Sequence, residues 1–185
     1  MADIPVPKIP EICLTKTFNA LDIKWIKSVN DDVTNSAYLP PDKRVIVNSK
    51  GIFFCLEINP RYSASLKQVP LGDIILLYQR LDKQKTKCFT HLVTPIGNNV
   101  IPSPYQNSVW QGRWVKVVAM TENQAIKSIP LASTDWHKMH FTGAHYNLSY
   151  GDGRIRAIDH NQQIPPSKLI SLQNNIWIKF QPWIK

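Results

Sequence analysis

The sequence lacks the motifs that would identify an enzyme. Its seven glycines are scattered, so neither a G-x-G-x-x-G nor a Walker-type phosphate loop is present, and the G-x-S-x-G and H-E-x-x-H motifs are also missing. The three cysteines, Cys13, Cys55 and Cys88, show no C-x-x-C spacing and cannot all pair with one another. We therefore expect buried free thiols, no cofactor, no bound metal and no catalytic residue.

Long apolar runs are missing too. No uninterrupted apolar segment extends beyond a few residues, which predicts that no helix spans a membrane. The N-terminal residues MADIPVPKIPEICL have neither the basic start nor the apolar core of a signal peptide, so we expect an intracellular, cytoplasmic protein. The chain has 185 residues, of which 43% are hydrophobic, and this is enough for one domain with its own core.

Acidic residues are scarce. There are 13 Asp and Glu against 22 Lys and Arg, which gives a net charge of +9. The excess is uneven, since residues 1–42 have a net charge of −2, residues 43–87 of +6 and residues 88–185 of +5. A basic body behind a mildly acidic N-terminal segment favours a polyanionic partner. We expect nucleic acid, with DNA and RNA both open.

What is present is mainly the pattern of short strands. Apolar segments bounded by turn residues predict strands at 44–48, 52–58, 74–79, 88–95, 110–120, 145–150 and 154–159. A short helix is predicted at 63–69, and another after Pro166 that gives way to an apolar tail. Prolines at 5, 7 and 10 predict an extended arm and loop over residues 1–42, in front of one domain over 43–185. This predicts an α+β, mostly β fold, a barrel with short helices at its rim.

The order of several short motifs resembles the PUA-like superfamily and, within it, the EVE-type domains. The pieces are Phe53-Phe54, Asn59-Pro60, Leu66, Gly72-Asp73 and Tyr78-Gln79, and the resemblance extends over roughly residues 50–160. It departs in having Phe-Phe where those domains often have Tyr-Trp, and in about fifty additional residues at the front. The resemblance implies a PUA-like β-barrel that reads RNA or a flipped or modified base and does not catalyse a reaction.

The residue types alone also favour base recognition. An unstacked base needs an aromatic face and an amide or hydroxyl that reads its edge. Residues of these types near predicted strand ends form the expected ligand pocket: Asn59, Tyr62, Ser63, Tyr78, Gln79, Trp110 and Trp114. Basic side chains on one hairpin tip and one strand are expected to contact the phosphate backbone: Arg80, Lys83, Lys85, Lys87, Arg154 and Arg156.

Two alternatives remain open at this point. His137, His140 and His145 lie close together in sequence, and a metal-dependent nuclease would use such a group, although no partner acids accompany them in a known motif. The second alternative is a protein-interaction subunit. Its docking surfaces would be the proline-rich N-terminal arm and the apolar C-terminal tail, with Trp177, Phe180, Trp183 and Ile184.

Overall fold

The chain folds around one mixed β-sheet. The computed structural model describes residues 7–29, 37–80, 87–105, 108–122, 129–130, 155–158 and 166–184. In these ranges the strands are β1 (Ile23–Ser28), β2 (Ile46–Asn48), β3 (Gly51–Ile58), β4 (Ile74–Arg80), β5 (Lys87–Pro95), β6 (Ile101–Pro102), β7 (Gln111–Met120), β8 (Ile129–Pro130) and β9 (Ile155–Ala157). The α-helices are α1 (Glu11–Thr15), α2 (Ser63–Lys67) and α3 (Pro166–Phe180). Three short 3₁₀ turns lie at Ala20–Asp22, Pro60–Tyr62 and Gln181–Trp183.

The sheet is open. Seven strands follow the order β2-β3-β7-β5-β4-β1-β9, while β6 pairs with β7 and β8 pairs with β5. The β1–β4 pair is parallel and the other pairs are antiparallel. The predicted α+β, mostly β class is confirmed. The predicted barrel is wrong for the described residues, because β1 and β9 extend the sheet beyond β4 and do not close it onto β2.

The N-terminal segment is not simply an extended arm. All three prolines precede residue 11, and α1 begins directly after Pro10. Strand β1 then lies inside the sheet, between β4 and β9. Ile23 and Ile26 on this strand are buried in the core. Part of the segment that the sequence assigns to an arm and loop is therefore a strand of the sheet.

Strand β4 is the central strand that its apolar sequence predicts. Ile74, Ile75, Leu76 and Leu77 are all fully buried. Successive side chains of a strand point to opposite faces, and Ile74 and Leu76 accordingly pack in one apolar cluster while Ile75 and Leu77 pack in another. Both faces of β4 are thus covered, as expected for a continuous apolar strand.

Helix α3 covers one of these faces. Leu172, Ile176 and Phe180 recur at every fourth position and are buried against the sheet, which is the pattern of an amphipathic helix. The helix has 15 residues, so it is longer than the predicted short one. Trp177, Trp183 and Ile184 pack partly buried against the same cluster. The apolar side chains of the predicted C-terminal docking tail thus pack at least partly against the core, and a role in docking stays a prediction.

Candidate nucleic-acid interface

The structure brings two of the predicted pocket residues to one end of the sheet. Antiparallel strands β3 and β7 have Ile58 and Gln111 as their last register pair at this end. Asn59 and Trp110 each lie one position beyond that pair, on neighbouring strands. The two residues therefore lie at the same end of the sheet.

Tyr62 and Ser63 follow the same turn but have local roles. Tyr62 is half-buried and packs against the apolar cluster on one face of the sheet. The Ser63 hydroxyl donates a hydrogen bond to the carbonyl oxygen of Pro60 at 3.0 Å. Ser63 is the first residue of α2, because the 3₁₀ turn Pro60–Tyr62 leads directly into the helix. These two residues shape the turn at this end.

Tyr78 and Gln79 lie at the opposite end of the sheet. Strands β7 and β5 separate β3 from β4, and Leu77 is level with His91, which pairs with Met120 at the far end of β7. From Gln111 to Met120 the strand extends about 30 Å at about 3.3 Å per residue. Gln79 and Asn59 therefore do not face one pocket, and the expected single pocket does not form.

Trp114 belongs to the core. It is 7% exposed and packs in a cluster with Cys13, Phe53 and Cys55. Tyr78 is also buried, in the cluster that α3 covers. Neither side chain offers a stacking face to a base in solution.

Trp110 does present an exposed aromatic surface. Its side chain is 39% exposed, and the neighbouring Val109 is 83% exposed. The backbone at this point is fixed, because the Trp110 N–H donates to the Ser108 hydroxyl at 3.2 Å and the Trp110 carbonyl accepts from the Ser103 N–H at 2.9 Å. The indole N–H makes no hydrogen bond within the described part of the chain. A held backbone with an exposed ring is the arrangement of a stacking platform.

The turn after β3 carries an exposed cation at the same end of the sheet. The Asn59 side-chain oxygen accepts a hydrogen bond from the Arg61 N–H at 3.0 Å, which holds the turn. Arg61 is exposed, and its guanidinium has no ion pair or hydrogen bond to any described residue. We call the set Asn59, Arg61, Val109 and Trp110 the Trp110 end.

One acidic side chain lies near the Trp110 end, and it is already engaged. Glu57 pairs with Gly112 in the register, two positions before Asn59. Its Oε1 accepts a hydrogen bond from the Ser108 hydroxyl at 2.5 Å, and its Oε2 lies 3.8 Å from the Arg44 guanidinium. The carboxylate is thus partly neutralised, and the charge left at the surface is that of Arg61.

Arg113 fixes the turn and helix beside β7. This side chain is almost fully buried, and its guanidinium donates to the carbonyl oxygens of Leu66 at 2.8 Å, Val69 at 2.7 Å and Gly97 at 2.5 Å. Burial lowers the pKa of Arg113 to about 10, so the group stays charged at neutral pH. The backbone at Leu66, Val69 and Gly97 is thereby tied to β7, the strand that begins directly after Trp110.

Two tyrosine hydroxyls accept hydrogen bonds from backbone N–H groups on the outer edge of β3. Strand β2 pairs with β3 only at residues 51–53, and beyond them the Cys55 N–H donates to the Tyr105 hydroxyl at 2.6 Å and the Glu57 N–H to the Tyr38 hydroxyl at 3.0 Å. The Tyr38 ring is also stacked on Phe54, with centroids 4.2 Å apart. Burial raises the pKa of both tyrosines well above the usual range, so both hydroxyls stay protonated.

A group of buried polar side chains, Gln79, Thr90 and His91, lies at the opposite end of the sheet from Trp110. Gln79 is 2% exposed and donates from Nε2 to the Ala37 carbonyl and to the Thr90 hydroxyl, each at 3.0 Å. His91 is fully buried and contacts the Thr90 hydroxyl and the Tyr38 carbonyl. Burial lowers the pKa of His91 to about 4, so the ring is neutral at neutral pH. These side chains hold the backbone at Ala37 and Tyr38.

Half of the predicted backbone-binding residues lie outside the described ranges. Lys83, Lys85 and Arg154 lie outside the described residues, as do His137, His140 and His145. Arg80 and Lys87 pair with each other at the ends of β4 and β5, and Arg156 in β9 pairs with Ile26. Only the backbone of these three is described. Their role in binding stays a prediction.

Arg61, Val109 and Arg113 were not among the site residues predicted from the sequence. Arg61 had a usable signal, since it is the only cation in the turn that follows the aromatic strand. Val109 lies next to a tryptophan at a strand start, yet an apolar residue there is equally typical of a core. Arg113 had no local signal, because its partners are carbonyl oxygens of residues distant in sequence.

The described residues contain neither a candidate metal site nor a candidate membrane-spanning helix. No three His, Cys, Asp or Glu side chains within them are arranged to hold a metal ion. None of the helices in these ranges is both long and apolar enough to cross a lipid bilayer. No family model, no curated protein and no solved structure matches this chain.

Proposed function

We propose that this protein binds nucleic acid with unpaired or flipped bases at the Trp110 end and catalyses no reaction on it. The observation that carries the proposal is the exposed Trp110 ring on the strand next to the Asn59-Pro60-Arg61 turn. An indole stacks on any base, and a neighbouring guanidinium attracts the phosphates or the base itself. These groups bind and orient a ligand.

The charge of the chain supports the same partner. The net charge is +9, and Lys67 on α2 adds an exposed cation to the segment that follows Arg61. Three of the acids that the structure describes are already in ion pairs at 2.8 Å or less, namely Asp22 with Lys16, Asp73 with Lys24 and Asp42 with Arg44. Unpaired basic side chains therefore dominate the surface field that a phosphate backbone meets.

The PUA-like assignment and the cytoplasmic location belong to this proposal. A mostly β mixed sheet with short helices is compatible with a PUA-like domain, which would additionally require the sheet to curl towards closure. Cys13, Cys55 and Cys88 are all free and buried, which favours a reducing compartment.

The test is binding of short labelled oligonucleotides, measured by fluorescence anisotropy. A thymidine strand and a uridine strand of about 12 nucleotides cover the size range of single-strand sites. Trp110→Ala should weaken binding by about 1–3 kcal/mol, the usual contribution of one base–aromatic stack, and Trp110→Phe should restore most of it. Arg61→Ala should lower the slope of log affinity against log salt by about 0.7, as loss of one phosphate contact on a single strand does.

Lys168→Ala provides the matched control. Lys168 is an exposed cation on α3, the helix that packs beside the 3₁₀ turn Ala20–Asp22 and not beside the Trp110 end. It removes one positive charge and should leave the affinity nearly unchanged. The proposal is wrong if the parent binds neither strand, or if Trp110→Ala binds as tightly as the parent.

A further inference from the structure

We propose that residues 9–16 form a strap that opens from the sheet as a unit and thereby controls access to the Cys13 thiol and the Lys116 ammonium group. We call this segment the N-terminal strap. It contains α1 and packs against the apolar cluster that Phe53, Cys55 and Trp114 form on one face of the sheet. The inference concerns the fold alone and does not depend on the proposed function.

Few side chains of the N-terminal strap are buried. Cys13 is 0% exposed and is the one buried residue of α1. Ile9 packs partly buried against the same cluster, while Ile12 and Leu14 are 47% and 43% exposed. No described strand or helix packs extensively against α1. Because burial of apolar surface offsets the entropy lost when a chain is ordered, little free energy holds this segment closed.

Side chains fasten the N-terminal strap to the sheet. Cys13 Sγ donates to the Pro95 carbonyl oxygen at 3.3 Å, and the Cys13 carbonyl oxygen accepts from Lys116 Nζ at 3.0 Å. At the end of the strap, Lys16 Nζ donates to the Gly72 carbonyl oxygen at 2.6 Å. Among the described residues, no backbone–backbone hydrogen bond joins the strap to a strand. These side-chain contacts can therefore break together without unpairing any strand of the sheet.

The chain has a hinge directly after the strap. Thr17 is exposed and belongs to no helix or strand. Behind it, Phe18 packs against the cluster that α3 covers, and Asn19 and Asp22 form a reciprocal capping box that fixes the next 3₁₀ turn. The turn and β1 therefore keep their structure when the strap opens, and the backbone change falls near Thr17.

The closed strap shields both groups. Burial raises the pKa of the Cys13 thiol, although the charges of Lys116, Arg113 and Lys16 act in the opposite direction. The thiolate is the form that attacks disulfides, so the buried neutral thiol is protected from them. When the strap opens, Cys13 meets water and the Lys116 ammonium group loses its carbonyl acceptor, which leaves it to water or to an anion.

The other two thiols report on the sheet. Cys55 lies in β3 opposite Trp114, and its N–H donates to the Tyr105 hydroxyl. Cys88 lies in β5, where it is paired with residues of β4 and β8. Both thiols are buried, so strands must separate before a reagent reaches them. The chain thus carries one thiol that reports the opening of the strap and two that report unfolding.

The experiment measures the reaction of these native thiols with excess dithiobis(nitrobenzoate). Each thiolate attacks the disulfide of the reagent, forms a mixed disulfide with the protein and releases one thionitrobenzoate, which is measured by its absorbance. Cys13 should react at least about 100-fold faster than Cys55 and Cys88, because local opening is more frequent than unfolding. The fast phase should disappear in Cys13→Ser. Low urea should change it little, since opening exposes little surface, while the slow phases should follow global unfolding.

Two variants loosen the strap, and a third is the matched control. Lys116→Met and Lys16→Met each remove one hydrogen-bond donor and keep a long apolar side chain, and each should speed the fast phase about 3- to 10-fold. Lys8→Met also removes one positive charge and should leave the rate unchanged. Lys8 is exposed, lies directly before the strap and makes no hydrogen bond or ion pair to a described residue. The slow phases of the same traces verify that each variant keeps its global stability.

Several results would overturn the inference. One common rate for the three thiols would show that the segment opens only with the sheet, and a fast phase that survives in Cys13→Ser would assign it to another thiol. A Cys13 rate equal to that of a cysteine peptide would show that the strap is not closed. Equal rates in Lys116→Met, Lys16→Met and Lys8→Met would show that the two lysines do not fasten it.

Discussion

His91 predicts a specific dependence of stability on pH. The ring is fully buried, with Nε2 at 3.1 Å from the Tyr38 carbonyl oxygen and Nδ1 at 2.9 Å from the Thr90 hydroxyl. A carbonyl oxygen only accepts, so Nε2 carries the hydrogen and Nδ1 accepts from the hydroxyl. Thr90 in turn accepts from Gln79 Nε2 at 3.0 Å. This hydrogen-bond network therefore requires the neutral form of the His91 ring, because Nδ1 must accept a hydrogen bond.

The size of this change in the free energy of unfolding follows from the pKa of His91. Burial lowers the pKa of His91 from 6.5 to about 4, although the Tyr38 carbonyl and the charge of Asp42 act in the opposite direction. Between these two pKa values the unfolded chain binds a proton that the folded chain does not bind. The free energy of unfolding is therefore highest above pH 6.5 and falls as the pH drops towards 4. From about pH 7 to about pH 5 the loss amounts to about 2 kcal/mol.

The assay is urea unfolding of the parent and of His91→Gln at about pH 7 and about pH 5, a range in which most carboxylates stay charged. The other four histidines are common to both proteins, so the difference between the two pH dependences isolates His91. The variant should lose about 2 kcal/mol less than the parent over this range. Equal pH dependences would refute the reasoning, and so would an NMR titration in which the His91 ring of the folded parent protonates near pH 6.5.

Three further variants test the packing, each by urea unfolding. Tyr105→Phe leaves the Cys55 N–H without its acceptor and should cost about 1–3 kcal/mol; an unchanged midpoint would show that the edge of β3 needs no cap. Gly112→Ala drives a Cβ into the Cys55 sulfur and should cost about 1–3 kcal/mol, less in a Cys55→Ala background; equal costs in both backgrounds would contradict the contact. Arg113→Leu leaves the buried carbonyl oxygens of Leu66 and Val69 and the part-buried one of Gly97 without their donor and should cost more than about 2 kcal/mol, and a smaller loss would mean that water replaces the guanidinium.

The strands were predictable where local sequence determines them. Pro70 and the Gly72-Asp73 turn bound an apolar run, and β4 occupies that run. Strand β7 likewise occupies its predicted segment, and at Gly112 the Cys55 sulfur lies where a Cβ would be. Strand β1 was not predicted, because Lys24 and Lys27 interrupt its apolar pattern. In the fold Lys24 pairs with Asp73 at 2.8 Å, while Lys27 is buried and donates to the Ser28 carbonyl.

The pocket was not predictable because it depends on long-range register. Asn59 and Gln79 each end a strand and look equivalent in sequence, yet two strands lie between theirs and they occupy opposite ends of the sheet. The order β3-β7-β5-β4 arises from pairings between segments that are distant along the chain, which no local pattern encodes. Trp110 and Trp114 differ by four positions on one strand, and only the packing decides which is exposed.

The tyrosine caps on β3 have a consequence for how copies of this chain meet. A strand edge with free N–H groups is a template on which a second chain can add a strand, and this is a common start of aggregation. Tyr38 and Tyr105 occupy the N–H groups of Glu57 and Cys55 with hydroxyls that cannot propagate a ladder. Next to them, β2 offers only three residues of edge. Replacing both tyrosines by phenylalanine would change more than the folding free energy. It would free the N–H groups of Cys55 and Glu57, and a second chain could then pair with this edge of the sheet.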